Sequence, residues 1–170
     1  MSAAYAEILN GAPLARQAPG ERHELICTRL HQWVRASVAD FAATRLLAPR
    51  AEVRLSPKHA VCPDLALVAA ATGKMWLAAE IVSSDDHQPD TVIKKQIYEE
   101  MRLPRLWMVD PRYDNVEVYH SNEYGLILKS ILAGHELLTE KLLPEFQLTI
   151  QELFAAQPPK GPAGGIQRAR

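Results

Sequence analysis

Cysteine is scarce in this chain. Among 170 residues there are two, Cys27 and Cys62, too few for a disulfide framework and without the paired spacing of a zinc site. No apolar run reaches the roughly 18 residues of a membrane-spanning helix, and the first residues lack the basic-then-apolar order of a secretory leader. Positive charge is not in excess either. Nineteen Lys and Arg face twenty Asp and Glu, for a formal net charge of −1. Any nucleic-acid contact must therefore come from a local patch. No nucleophile elbow or His–Cys pair marks a covalent small-molecule hydrolase. Nor is there an internal repeat. What remains is a reduced, cytoplasmic protein that makes no use of a membrane.

What is there suits one soluble domain. Apolar content of 48% and charged content of 23% are ordinary for a globular chain long enough to bury a core. Residues 1–20, rich in Ala and Gly, read as a flexible lead-in with at most one short helix. From Glu21 to about Leu47 apolar side chains recur every three or four residues, predicting a helix that Pro49 stops. "AEVRLS" alternates as a strand with one wet face does. "DLALVAA" and "MWLAAEIVS" are nearly continuous apolar runs around a turn at Gly73, as in strands covered on both faces. After a polar loop, Asp90 is placed to cap a helix over "TVIKKQIYEEM". "LWMVDP" is a further buried strand, "NVEVYHS" and "GLILKSIL" an antiparallel pair, and "LTIQELF" a short closing helix. Residues 157–170 read as a disordered tail. The order predicts an α/β fold, a mixed β-sheet flanked by helices, over 21–156.

Two acids fall where strand logic predicts burial. Asp64 opens one apolar strand and Glu80 nears the end of the next. Their sequence midpoint is residue 72, inside the "ATGK" turn, so an antiparallel hairpin makes them cross-strand neighbours. Like charges in a half-buried site repel, and one is then protonated. A hard divalent cation relieves the conflict, because Mg²⁺ takes one or two carboxylates together with waters and phosphate oxygens. The alternative is a core salt bridge or a protonated carboxyl. The next helix adds a cation. With Ile93, Ile97 and Met101 centred on its buried stripe and ~100° per residue, Lys94 and Tyr98 share the border of the stripe. Lys95 points the other way. Lys94 is thus the lysine able to lean toward the sheet; the plainer reading makes both lysines surface groups.

The strings "PDLALV", "AEIVSS", Asp90-x-x-x-Lys94-x-x-x-Tyr98 and "LPRLWMVDP" resemble, in order and spacing, the Uma2 family (also DUF820) of restriction-endonuclease-like proteins. The resemblance runs from about His23 through Phe154 and includes "VEVYHSNEYG" and "LLPEFQLTIQELF". That family looks like a branch of the PD-(D/E)xK nuclease superfamily. The resemblance implies a restriction-endonuclease-like core, with Asp64 and Glu80 as ligands of Mg²⁺ or Mn²⁺ and Lys94 as the catalytic lysine. The usual superfamily lysine stands two residues after the glutamate, where this chain has Val82. An acid on the first helix often completes such sites; Glu21 and Glu24 are the candidates, with His23 beside them and Tyr98 as a further accessory. Arg105 departs from the family, which often has Glu there. Asp110 reads as a turn residue, and His59, His87 and His135 are too scattered for a metal set.

The implied function is a metal-dependent endonuclease cutting phosphodiester bonds, with DNA as the expected partner. The alternative is a catalytically inactive module of the same fold, used for binding or dimerisation. Apolar residues near "LILKSIL", on an exposed edge strand, make a homodimer the expected assembly.

Overall fold

The computed structural model describes residues 2–83 and 85–156; the expected tail, 157–170, lies outside them. In chain order the elements are β1 (Tyr5–Leu9), β2 (Ala12–Arg16), α1 (Glu21–Val38), β3 (Thr44–Leu46), β4 (Val53–Ser56), β5 (His59–Val61), β6 (Leu65–Ala69) and β7 (Met75–Ile81). A π-helical turn (Pro89–Lys94) then runs into α2 (Lys95–Glu100). After these come β8 (Arg105–Asp110), β9 (Asn115–Asn122), β10 (Gly125–Ala133), β11 (Leu137–Glu140), β12 (Leu143–Thr149) and α3 (Ile150–Phe154).

The central sheet has six strands in the order β10-β9-β8-β7-β6-β3. Among the described strands only β7 and β8 pair in parallel, and the crossover such a pair requires is supplied by the π turn and α2. Alternation along the strands divides the core in two. Leu65, Leu67, Leu77, Ala79 and Ile81 pack under α1, against Ile26, Leu30 and Val34. Phe146 and Leu148 of β12 close that layer, with Phe146 stacked on Trp107 at 5.4 Å. Ala66, Ala78, Val82 and Met108 face the other way, toward Ile97 and Tyr98 of α2. The apolar strands read from sequence are thus buried on both faces, and the α/β fold with a flanked mixed sheet is the one observed.

Several expectations need correction. The first twenty residues are not a lead-in: β1 and β2 form a hairpin that joins β5 and β4 in a second, four-stranded sheet. Asn10 and Gly11 turn it, at φ 53° and 78°, the two left-handed positions of a type I′ turn. Strand β4 belongs to this small sheet and not to the central one. Helix α1 ends at Val38, well before Pro49. Backbone bonds from Phe41 to Val38 and from Thr44 to Phe41 turn the chain, and Thr44–Leu46 pairs with β6. Leu148 and Thr149 finish β12; the closing helix starts at Ile150, capped by Thr149 and Glu152 in a reciprocal box. Arg105, the family departure, pairs with Glu140 at 3.1 Å. No described helix is long and apolar enough to cross a membrane.

Candidate metal and nuclease site

The turn symmetry about residue 72 holds. Leu65 pairs with Ala79, Ala66 with Ala78 and Leu67 with Leu77, and one further step sets Asp64 opposite Glu80. Both acids are buried. Asp64 is held on every side: His23 Nε2 donates to Oδ1 at 2.8 Å, Arg50 Nη1 at 2.9 Å, and the Ile81 N–H reaches Oδ2 at 2.8 Å. Burial pushes its carboxyl up, but the His23 bond, the Ile81 N–H and the Lys94 charge outweigh that and keep it below 3.8. Glu80 goes the other way. Burial, opposed by Lys94 and reinforced by Asp90, Glu7 and Asp64, lifts it to about 8.

Lys94 reaches the sheet, as its spacing suggested, but not from the border of a stripe. It is wholly buried, Nζ lying 2.6 Å from Glu80 Oε1 and 2.8 Å from Glu7 Oε1. The i→i+5 bonding of the π turn moves the register. Asp90, Lys94, Ile97 and Tyr98 form the buried line, while Met101, expected at the centre, is 36% exposed. Burial depresses the lysine; Glu80, then Tyr98 and Glu7, more than reverse this and raise it well above 10.5. Lys95 is not simply solvated, since its ammonium rests 4.4 Å over the Tyr119 ring. The Tyr98 hydroxyl donates to Glu80 Oε1. Asp90 caps nothing: it is buried, takes both oxygens to Arg16 Nη2 at 3.0 Å and accepts from the Ser83 N–H.

The accessory residues separate. His23 touches Asp64 directly. Glu24 joins through Arg50, 2.7 Å away, and Glu21 stands exposed on a groove wall. Asp110 is the turn residue expected, accepting from the Arg112 N–H at 3.0 Å and pairing with its guanidinium. His59 lies on β5 and accepts from the Asn10 N–H, apart from the carboxylates.

Three residues of the cluster were not anticipated. Glu7 of β1 binds Lys94, the Cys62 N–H at 2.7 Å and Arg16 at 2.8 Å. Arg16 of β2 bridges Glu7 and Asp90. Arg50, at φ 57°, joins Asp64 to Glu24. The Asn-Gly pair between "AYAEIL" and "APLAR" was the signal for the first two; nothing in the sequence pointed to Arg50.

A groove of about 710 Å³ opens beside this cluster, walled by the β2–α1 connection and by the ends of β7 and β8. Arg16, His23, Val82 and Arg112 line it. Val82, two residues after Glu80, shares its strand face with the apolar residues packed on α2. Among the described residues, no three His, Cys, Asp or Glu side chains converge as a metal cage. Two buried carboxylates at the same end of β6 and β7 nevertheless suit a hard cation of the Mg²⁺ class, which needs one or two such oxygens and completes its shell with water and phosphate.

No curated protein matches the chain. Among solved structures it is similar to one from Anabaena variabilis titled "a putative nuclease belonging to DUF820", at 17% identity and a TM-score of 0.73, covering 88% of this chain and 89% of that one. This likeness establishes the shared fold. A family model described as "Putative restriction endonuclease" matches residues 3–151, and the chain belongs to that family, Uma2.

Proposed function

We propose that the protein is a metal-dependent endonuclease that hydrolyses phosphodiester bonds, with DNA as its substrate. The observation that carries this reading is convergence: Asp64 and Glu80 lie at the same end of the β6–β7 pair, beside the Leu65–Ala79 pairing, and the Lys94 ammonium reaches Glu80 from the crossover at 2.6 Å. Asp64 and Glu80 would hold the cation. A bound Mg²⁺ or Mn²⁺ supplies Lewis-acid polarisation of a phosphate oxygen and eases deprotonation of a water. The chain does the rest. His23 and the Ile81 N–H keep Asp64 ionised and oriented. Arg16 and His23 line the groove and meet the phosphate first. Lys94 stabilises the negative charge that grows as the water oxygen bonds to phosphorus and the ester P–O bond breaks. Purified Asp64→Asn and Glu80→Gln, folded by circular dichroism, should lose Mg²⁺-dependent cleavage of plasmid DNA. Undiminished cutting by either variant would refute the assignment.

One observation favours the inactive alternative. Every site carboxylate already has a protein cation, with Arg50 on Asp64, Lys94 on Glu80 and Arg16 on Asp90, so none needs a metal to balance its charge. Calorimetric titration with Mn²⁺ separates the readings. Heat that disappears in Glu80→Gln marks a working site, and no heat in either form marks a relic. The reading includes a homodimer. Strand β10 edges the central sheet and exposes Ile127, Leu128 and Ile131, the surface an edge strand offers for pairing. Light scattering should give twice the 18.9 kDa chain mass, reverting to one in Ile131→Lys.

A further inference from the structure

A lysine borne on the glutamate's own strand is aimed by that strand. Here Val82 occupies the position, and the ammonium comes from a helix on a flexible four-carbon stem. Something else must fix its direction. Two carboxylates touch Lys94 Nζ: Glu80 at 2.6 Å and Glu7 at 2.8 Å. Glu7 is 1% exposed, and its contacts are distributed without remainder. Oε1 serves the Cys62 N–H and Lys94; Oε2 takes Arg16. The Cys62 bond ties it to the end of β5, and Arg16 ties it to β2 of the same hairpin. Two cations and one N–H converge on this one carboxylate, which places it to hold Lys94. Burying it is costly for stability alone, since a well-packed apolar replacement often serves as well as a buried ion pair.

The geometry points to Glu7 as the positioning residue for Lys94: the N-terminal hairpin supplies the fixed anchor that a strand-borne lysine gets from its backbone. This rests on the nuclease reading for its catalytic consequence, though not for its geometry. With nitrogen-15-labelled lysine, the anchored Lys94 ammonium should give a resolved, slowly exchanging signal at neutral pH. Glu7→Gln keeps the size and should lose that signal. It should retain Mn²⁺ binding by calorimetry, since Asp64 and Glu80 are untouched, and lower kcat on a fluorescent duplex oligonucleotide by about 100-fold. Glu7→Asp, one methylene short, should fall between. An unchanged ammonium signal in Glu7→Gln overturns the assignment, and so does loss of Mn²⁺ binding there, which would make Glu7 a ligand. If Glu7→Gln does not fold, an unbroadened wild-type signal in Glu7→Asp overturns it equally. A wild-type protein that cuts nothing defeats the nuclease reading alone; the signal comparison still decides Glu7.

Discussion

Glu80 holds its proton far longer than a surface carboxyl does, and this has a thermodynamic consequence. Its ordinary value of 4.5 rises to about 8 in the fold, first through burial. Between those values the folded state binds more proton than the unfolded state, so stability falls as pH rises. The contribution is complete below 4.5 and is lost as pH passes through about 8. Asp64 has the opposite sign. Its carboxyl is held below 3.8, so its contribution is present above that value and lost as pH falls beneath it. Denaturant midpoints from pH 5 to 9 should decline for the wild type and flatten in Glu80→Gln. Parallel curves would mean that Glu80 is already ionised at neutral pH. Lys94 is less replaceable than its sequence position suggested. Removing a fully buried ammonium takes the cation from Glu80 and leaves Glu7 with Arg16 alone, and breaking such a buried pair costs about 3–5 kcal/mol. Lys94→Ala therefore confounds catalysis with unfolding, and Asp64→Asn is the cleaner probe.

At the scale of elements, the β1–β2 hairpin carries Glu7 and Arg16 to the site and depends on its two-residue turn. At Gly11 an added Cβ meets nothing within 4 Å, so any cost of Gly11→Ala is backbone strain at φ 78°, about 1 kcal/mol. A lower denaturant midpoint should report it. Gly20, also in open space but with extended backbone, is the control and should change little. The same hairpin shows where the sequence misled. Ala, Gly and Pro content made residues 1–20 look unstructured, although Asn10-Gly11 between short apolar runs is a strong local turn signal. Continuous apolar runs, by contrast, made β6, β7 and β8 legible, and the turn between the first two was enough to match Asp64 with Glu80. Helical phase found Lys94 but misjudged its depth, because 100° per residue assumes i→i+4 bonding and Pro89–Lys94 is a π turn. Thr44–Leu46 reads as helix in the sequence because a three-residue strand is too short to reveal its alternation.

Across the whole molecule, charge is nearly balanced and the groove repeats that balance. Arg16, Arg22 and Arg112 line it, against Glu21, Asp85 and Asp86. Each arginine also has an acid of its own: Asp90 for Arg16, Asp114 for Arg22, and Asp110 for Arg112. A duplex gripped here gains few phosphate contacts and must compete with internal carboxylates for each one. Three arginines set the ceiling. At about 0.9 counterions released per neutralised phosphate, log affinity should fall with log salt at a slope no steeper than about −2.7. Anisotropy titrations of a labelled duplex without divalent metal, across a range of salt, measure that slope directly. A slope twice as steep would place the phosphate contacts outside the groove and detach DNA binding from the Asp64–Glu80 cluster. A slope within the ceiling that loses about one unit in Arg112→Gln would place the backbone against the same wall that leads, through Arg16 and Glu7, to Lys94.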